Sequence, residues 1–194
     1  MEIFRSRRDY EVFLSTTHDA ALRHDLEIHA YALMPNHVHF MITSPTAAAL
    51  AAAMQTIGRR YVPYFNRRYQ RTGGLFEGRY RSVLVDEECY WVTCMRYIEL
   101  NPVRAGLVST PEAYRWTSYQ AHAMGLPDVL LTEHSLYLRL GETLPERSHS
   151  WRGFCAQGIP DGELLEMRDA VYRGRIFTGI VPSATVRPGG ASRI

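Results

Sequence analysis

Two histidines separated by one residue are the first feature of the sequence that could do chemistry. His37 and His39 flank Val38 in the segment HVHFMIT, which is rich in residues that favour strands. In a strand, residues i and i+2 project from the same face, so these imidazoles would lie about 7 Å apart at Cα. Such a pair can chelate one divalent cation if a third ligand is supplied. The alternative is that each imidazole simply lies on a sheet surface.

A second pair of candidate residues lies in the segment RYIELNP. Residues 87–100 are predicted to form a helix, and Tyr97 and Asn101 are four residues apart, so they share one helix face. A tyrosine hydroxyl and an amide oxygen could therefore approach the same ion. Pro102 disfavours helical backbone at Asn101, which makes the alignment of its amide uncertain. The same stripe would equally place Tyr97 in a core.

Basic residues concentrate in one part of the chain. The 194 residues carry a formal net charge of +2, and all 22 basic residues are Arg. Between Arg59 and Arg81, seven Arg stand against one Glu, a net charge of +6, which leaves −4 for the remainder. Six aromatic residues are interleaved with these Arg. Guanidinium groups and aromatic rings together suit single-stranded nucleic acid. A solvated helix face whose aromatic residues form core is the alternative.

The composition excludes several classes of protein. Hydrophobic residues make up 46% of the chain, which is typical of a globular domain and atypical of collagen-like or wholly disordered chains. No apolar run approaches the length of a membrane span, and the N-terminus is too charged for a signal peptide. The three Cys form no CxxC pair, and their odd number argues against a disulfide framework. We expect a cytoplasmic protein.

Periodicity and turn residues predict the elements that must position these side chains. The first elements are a helix from Asp9 to about Asp25 and two strands, Glu27–Met34 and His37–Thr43, joined by a Pro35-Asn36 turn. A helix follows from Ala47 towards Tyr61 or beyond, which Pro63 could break, and then a strand over Ser82–Val85. The helix over 87–100 has Asp86 as its N-cap and Asn101-Pro102 at its end, and shorter helices are predicted near 112–124, 132–140, 146–156 and 161–173.

Three segments carry a resemblance to a known family. They are LMPNHVHFMI, GGLFEGRYRS and RYIELNPVRAGLV, the last followed by YRWTSY. These segments resemble the single-tyrosine HUH transposases, above all the REP-associated tyrosine transposases. The similarity spans about Ile3 to Tyr119. It implies an α+β fold with a ferredoxin-like antiparallel sheet and helices on one face. We expect a catalytic domain over 1–120, a helical extension over 121–177 and a disordered tail over 178–194.

The resemblance also implies a reaction and assigns residues to it. His37, His39 and Asn101 would bind Mg²⁺ or Mn²⁺, and Tyr97 would attack single-stranded DNA that contains imperfect, REP-like hairpins and form a 5′-phosphotyrosine. Contacts to DNA are expected from Arg59, Arg60, Arg67, Arg68, Arg79, Tyr80, Arg81 and Arg104. For Arg104, a buried structural role is equally compatible with the sequence. The protein would act as a monomer or a homodimer.

The chain departs from the family pattern at its start. Members begin with a strand that is central in the sheet, beside the strand of His37 and His39, and only about eight residues precede the first helix here. An upstream start codon, another segment in that position, or a decaying gene copy would each explain the gap. Two alternative functions therefore stand: a catalytically impaired protein that binds single-stranded hairpins, and a hydrolase that uses metal-bound water at the two histidines.

Overall fold

The computed structural model describes residues 1–78, 80–85, 88–160, 162–165, 167, 169 and 192–193. Its elements in chain order are α1 (Arg7–Arg23), β1 (Glu27–Met34), β2 (His37–Thr43), α2 (Ala47–Arg68), β3 (Leu84–Val85), α3 (Glu88–Arg104), a 3₁₀ turn (Pro111–Ala113), α4 (Tyr119–Met124), α5 (Ser135–Leu138), α6 (Leu144–Ala156) and β4 (Ser192–Arg193). Residues 162–165, 167 and 169 are also helical. This arrangement confirms the α+β class and the helical C-terminal region. The expected N-cap Asp86 and most of the helix expected over 161–173 lie outside the described residues.

The first two strands form a tight antiparallel hairpin. Met34 pairs with His37, so Pro35 and Asn36 close the turn, as the sequence predicts. Further along, Ala32 pairs with His39, and the register shifts once, between Ile28 and Ala30. Both strand boundaries agree with the prediction because β-forming residues with clear turn residues between them leave little choice of register.

Strand β4 occupies the centre of the sheet, whose strand order is β1-β2-β4-β3. Ser192 pairs with Thr43 of β2 and with Val85 of β3, and both pairings are antiparallel. The sequence analysis expected a gap beside β2, and in the described residues a segment from elsewhere in the chain lies there. The remainder of the tail expected to be disordered, 178–191 and 194, lies outside the described residues.

Helices cover both faces of the sheet rather than one face alone. Helices α1 and α2 pack on the face formed by Leu33, Phe40 and Ile42. Helix α3 packs on the other face, against Ala32 and Met41. Because side chains alternate along a strand, His37 and His39 lie on the same face as Met41 and therefore towards α3. The packing thus decides which helix can meet the histidines.

Helix α2 runs unbroken through Pro63, the position at which the sequence leaves a break possible. A buried stripe holds the helix to its neighbours; it consists of Leu50, Ala53, Ile57, Tyr61 and Phe65. Pro63 lies on the exposed side of the helix, where the missing amide hydrogen bond costs less than it would in the core. Among the described residues, no helix is both long enough and apolar enough to cross a membrane.

Helix α3 likewise continues beyond its expected end at Asn101-Pro102 and reaches Arg104. The amide of Ala105 donates to the carbonyl of Asn101, and that of Leu107 donates to Pro102. Gly106 follows with φ of 69°, a left-handed conformation that suits glycine at a helix end. The tertiary packing of α3 outweighs the local preference of the residue before proline, and Asn101 keeps its helical alignment with Tyr97.

A buried carboxylate joins α1 to the end of α2. Asp9 is fully buried and accepts hydrogen bonds from the amides of Arg5 and Ser6 and from the hydroxyls of Tyr64 and Tyr69. Burial alone would raise the pKa of Asp9, but these four hydrogen bonds together outweigh it and lower the pKa below its ordinary value. Ionised Asp9 therefore stabilises the contact between the two helices.

Replacing this carboxylate should make stability depend less on pH. A lowered pKa in the folded state contributes stability above about pH 4 that is lost as the pH falls through the folded pKa. Asp9→Asn should lose about 1–3 kcal/mol of unfolding free energy near pH 7, because an amide cannot accept all these hydrogen bonds. Urea unfolding at pH 7 and pH 3 measures the difference, which should shrink at the lower pH.

The matched control is Asp19→Asn, which removes an exposed carboxylate 2.7 Å from Arg60. An exposed ion pair contributes little, so this variant should unfold like the wild type. A loss in Asp9→Asn that is as large at pH 3 as at pH 7 would contradict the role of the ionised carboxylate.

Candidate functional site

Two imidazoles converge at the start of β2. The Nε2 atoms of His37 and His39 are 3.0 Å apart. On its other side, the Nδ1 of His37 lies 2.7 Å from Oδ1 of Asn36, so Nδ1–H donates to the amide oxygen and Nε2 keeps its lone pair. A partner of this kind orients a metal-ligating histidine. The sequence analysis missed Asn36, although its place in the hairpin turn next to His37 could have signalled it.

Both imidazoles are neutral around pH 7. Burial lowers the pKa of His37 below its ordinary value. Burial is the main cause that lowers the pKa of His39 to about 3; the charge of Arg104, and that of His37 when it is protonated, also disfavour the imidazolium form. Neutral imidazole is the form that binds metal ions.

The geometry of this pair fits a divalent cation. Two nitrogen ligands placed about 2.1 Å from one ion and at right angles lie about 3.0 Å apart. The observed separation of the Nε2 atoms, 3.0 Å, agrees with that. Within the described part of the chain, no group of three or more His, Cys, Asp or Glu side chains could hold a metal. A third protein ligand would therefore have to be another residue type, such as an amide oxygen.

Tyr97 lies beside the histidine pair. Its ring meets the imidazole of His39 edge-on, with ring centres 5.8 Å apart. The neighbouring residues Met95 and Ile98 are fully buried and pack α3 against the sheet, whereas Tyr97 is only half-buried. Tyr97 thus lies at the edge of the core, where its ring contacts the imidazole of His39.

Asn101 follows Tyr97 by one turn of α3. Its Nδ2 donates a hydrogen bond to the backbone carbonyl of Tyr97 over 2.9 Å. This hydrogen bond uses the amide nitrogen, and Oδ1 is the atom with lone pairs for a cation. Since α3 continues through Pro102, Asn101 stays on the helix face that carries Tyr97.

Arg104 completes the group. The central carbon of its guanidinium lies 4.7 Å from the ring centre of Tyr97. Its Nη1 is buried and has no hydrogen-bond partner among the residues that the structure describes. A cation thus lies over the ring of the tyrosine, close enough to His39 to lower the pKa of that imidazole.

The arginines of α2 do not join this group. Helix α2 packs across the sheet from the histidines and exposes four of the predicted DNA contacts, Arg59, Arg60, Arg67 and Arg68. Arg60 pairs with Asp19, and Arg68 lies 3.6 Å from Asp9.

The aromatic residues interleaved with the α2 arginines do not form one exposed surface with them. Tyr61 and Phe65 are fully buried, in line with the alternative that such rings form core. Tyr80 and Arg81 are exposed in the segment before β3, and Arg79 lies outside the described residues.

A buried polar cluster fixes α3 behind Tyr97. Glu99 is fully buried, and its Oε1 accepts hydrogen bonds from Ser118 Oγ (2.5 Å) and His122 Nδ1 (2.6 Å). Its Oε2 accepts one from Trp151 Nε1 (2.7 Å). Ser118 also bonds the backbone of Tyr31, so the cluster joins α3 to β1, α4 and α6. The sequence analysis missed Glu99; an acid in an otherwise apolar helix stretch was the available signal.

Comparison with known proteins gives one family. The family model for IS200-like transposases matches residues 2–101, which is half of the chain. The match includes the histidine pair, Tyr97 and Asn101. Searches of curated proteins and of solved structures give no match.

Removing the buried carboxylate should loosen the helix that carries Tyr97. Glu99→Leu leaves the donors of Ser118, His122 and Trp151 without an acceptor, and the expected loss is about 3–5 kcal/mol of unfolding free energy. Urea unfolding followed by circular dichroism measures it. Glu133→Leu is the control, because Glu133 is exposed and its ion pair with Arg147 is long, at 3.7 Å. Equal stabilities of the two variants would contradict the role of Glu99.

Proposed function

Since the chain belongs to the IS200-like transposase family, we propose that it cleaves and rejoins single-stranded DNA through a covalent link to Tyr97. The observation that carries the proposal is the contact between the Tyr97 ring and His39, whose Nε2 faces that of His37. A transposase-type DNA activity follows from the family. The tyrosine link, the metal and the hairpin substrate are the finer parts of the proposal.

The histidine pair supports a metal-dependent reaction. His37 and His39 would hold Mg²⁺ or Mn²⁺ through Nε2, and Asn101 would add its amide oxygen. When bound, the ion would polarise the non-bridging oxygens of the scissile phosphate. Neutral imidazoles around pH 7 favour this binding because no proton has to be displaced from an imidazolium.

Tyr97 supplies the nucleophile in this proposal. Its Oη forms a bond to phosphorus as the bond from phosphorus to the 3′-oxygen breaks. The phenolic proton is released, the 3′-oxygen takes one up, and the products are a 5′-phosphotyrosine and a free 3′-hydroxyl. One phosphodiester replaces another, so a second 3′-hydroxyl can reverse the step and join strands without ATP.

The arginines of α2 suit a different part of the DNA. These four residues, on the exposed side of α2, lie across the sheet from Tyr97; they are Arg59, Arg60, Arg67 and Arg68. We therefore assign them to phosphates that flank the cleaved linkage, such as those of an imperfect, REP-like hairpin. Tyr80 and Arg81 are exposed and could contact a base and a phosphate of the same strand.

A covalent adduct tests the proposal. Single-stranded oligonucleotides with an imperfect hairpin, random flanking sequence and a 3′ label should yield labelled protein that survives denaturation in the presence of Mn²⁺. Tyr97→Phe lacks the nucleophilic hydroxyl and should give no labelled band, and chelation of the metal should abolish the band from the wild type. Denaturing gel electrophoresis makes the measurement.

The control is Tyr64→Phe, which removes a hydroxyl that bonds Asp9 on the other side of the sheet and should leave the adduct intact. A labelled band in Tyr97→Phe would assign the nucleophile elsewhere. Hairpin binding by the wild type without any adduct would favour a catalytically impaired DNA-binding protein. Metal-dependent cleavage without an adduct would favour a hydrolase that uses metal-bound water.

A further inference from the structure

We propose that Arg104 is a catalytic residue that binds the phosphate attacked by Tyr97. The inference rests on the proposed function and adds to it the group that neutralises charge on the substrate. Arg104 is seven residues after Tyr97 and three after Asn101, so the three side chains share one face of α3.

The position of the Arg104 guanidinium supports this role. It lies 4.7 Å from the ring centre of Tyr97, and that ring is in contact with His39. Any phosphate within reach of the Tyr97 hydroxyl and the two imidazoles would therefore lie close to the guanidinium. Guanidinium groups bind phosphate oxygens with paired hydrogen bonds, and such donors are most effective where charge develops during the reaction.

An unsatisfied hydrogen-bond donor of Arg104 also supports this role. Nη1 of Arg104 is buried without a hydrogen-bond partner among the described residues, which costs free energy. In that part of the chain no carboxylate forms an ion pair with Arg104. The buried carboxylate of α3, Glu99, is occupied by Ser118, His122 and Trp151. An anionic ligand would supply the missing acceptor.

A comparison within the chain separates this role from simple stacking. Arg115 lies over Trp116 with its guanidinium 4.6 Å from a ring centre, almost the distance seen for Arg104 and Tyr97. Arg115 is exposed, however, and its partner Trp116 packs with the cluster of α1 and α2 on the other face of the sheet. Stacking on an aromatic ring is therefore common to both, and the position beside the histidines and Tyr97 is what distinguishes Arg104.

The experiment measures adduct formation under single-turnover conditions with a hairpin oligonucleotide recovered from the random-flank pool. Arg104→Ala should react about 100-fold or more slowly than the wild type, by analogy with the loss of one donor that stabilises transition-state charge. Its affinity for the uncleaved hairpin should fall far less than its rate, and its melting temperature should be unchanged. Added guanidinium chloride should restore part of the lost rate, and Arg104→Lys should fall between the two proteins.

Arg115→Ala is the control and should react at the wild-type rate. An Arg104→Ala variant that reacts as fast as the wild type overturns the inference and leaves the proposed function intact. A loss of rate that guanidinium does not restore, or that follows a fall in melting temperature, assigns Arg104 to packing on Tyr97 and also overturns it. No adduct from the wild type with any oligonucleotide of the pool overturns the proposed function and this inference with it.

Discussion

The candidate site depends on the close packing of α3 against one face of the β1–β2 hairpin. The side chains of the sheet that meet α3 include Ala30 and Ala32, both fully buried, whereas the opposite face carries larger residues such as Tyr31 and Leu33. Small side chains let the helix approach the strands, and the buried carboxylate of Glu99 holds it there through three hydrogen bonds. Because β2 presents His37 and His39 on that same face, this packing puts Tyr97 beside the imidazoles. The chemistry proposed for the site depends on that contact between Tyr97 and His39.

The charges of the site are arranged around neutral imidazoles and one half-buried cation, Arg104. Burial lowers the pKa of both histidines, which favours their neutral forms around pH 7. The guanidinium of Arg104 lies over the Tyr97 ring, and in the described residues no carboxylate neutralises it. The site therefore suits an anionic ligand, which agrees with a phosphodiester substrate. The exposed arginines of α2 lie across the sheet, away from this site.

Local patterns in the sequence predict part of this structure and miss the rest for physical reasons. The hairpin follows from β-forming runs on either side of Pro35-Asn36, and its period of two already places His37 and His39 on one face. Pro63 leaves a break of α2 possible and Asn101-Pro102 predicts the end of α3, but buried stripes on α2 and α3 outweigh these local preferences. For Tyr61 and Phe65 the sequence allows either a DNA-binding surface or a core, and the structure buries both. Glu99 could not be assigned, since its partners Ser118, His122 and Trp151 come together only in the folded chain.

Identification of the residue that carries DNA is the most direct test of the central claim, that α3 presents Tyr97 to the histidine pair for covalent chemistry. Trypsin cleaves after Arg96 and Arg104 and so releases residues 97–104 as a peptide in which Tyr97 is the only tyrosine. The adduct formed with hairpin oligonucleotides and Mn²⁺ would be digested with nuclease and trypsin and analysed by mass spectrometry. The account predicts a nucleotide mass on this peptide, fragmenting at Tyr97. A nucleotide mass on a peptide containing any other tyrosine, with residues 97–104 unmodified, would contradict it.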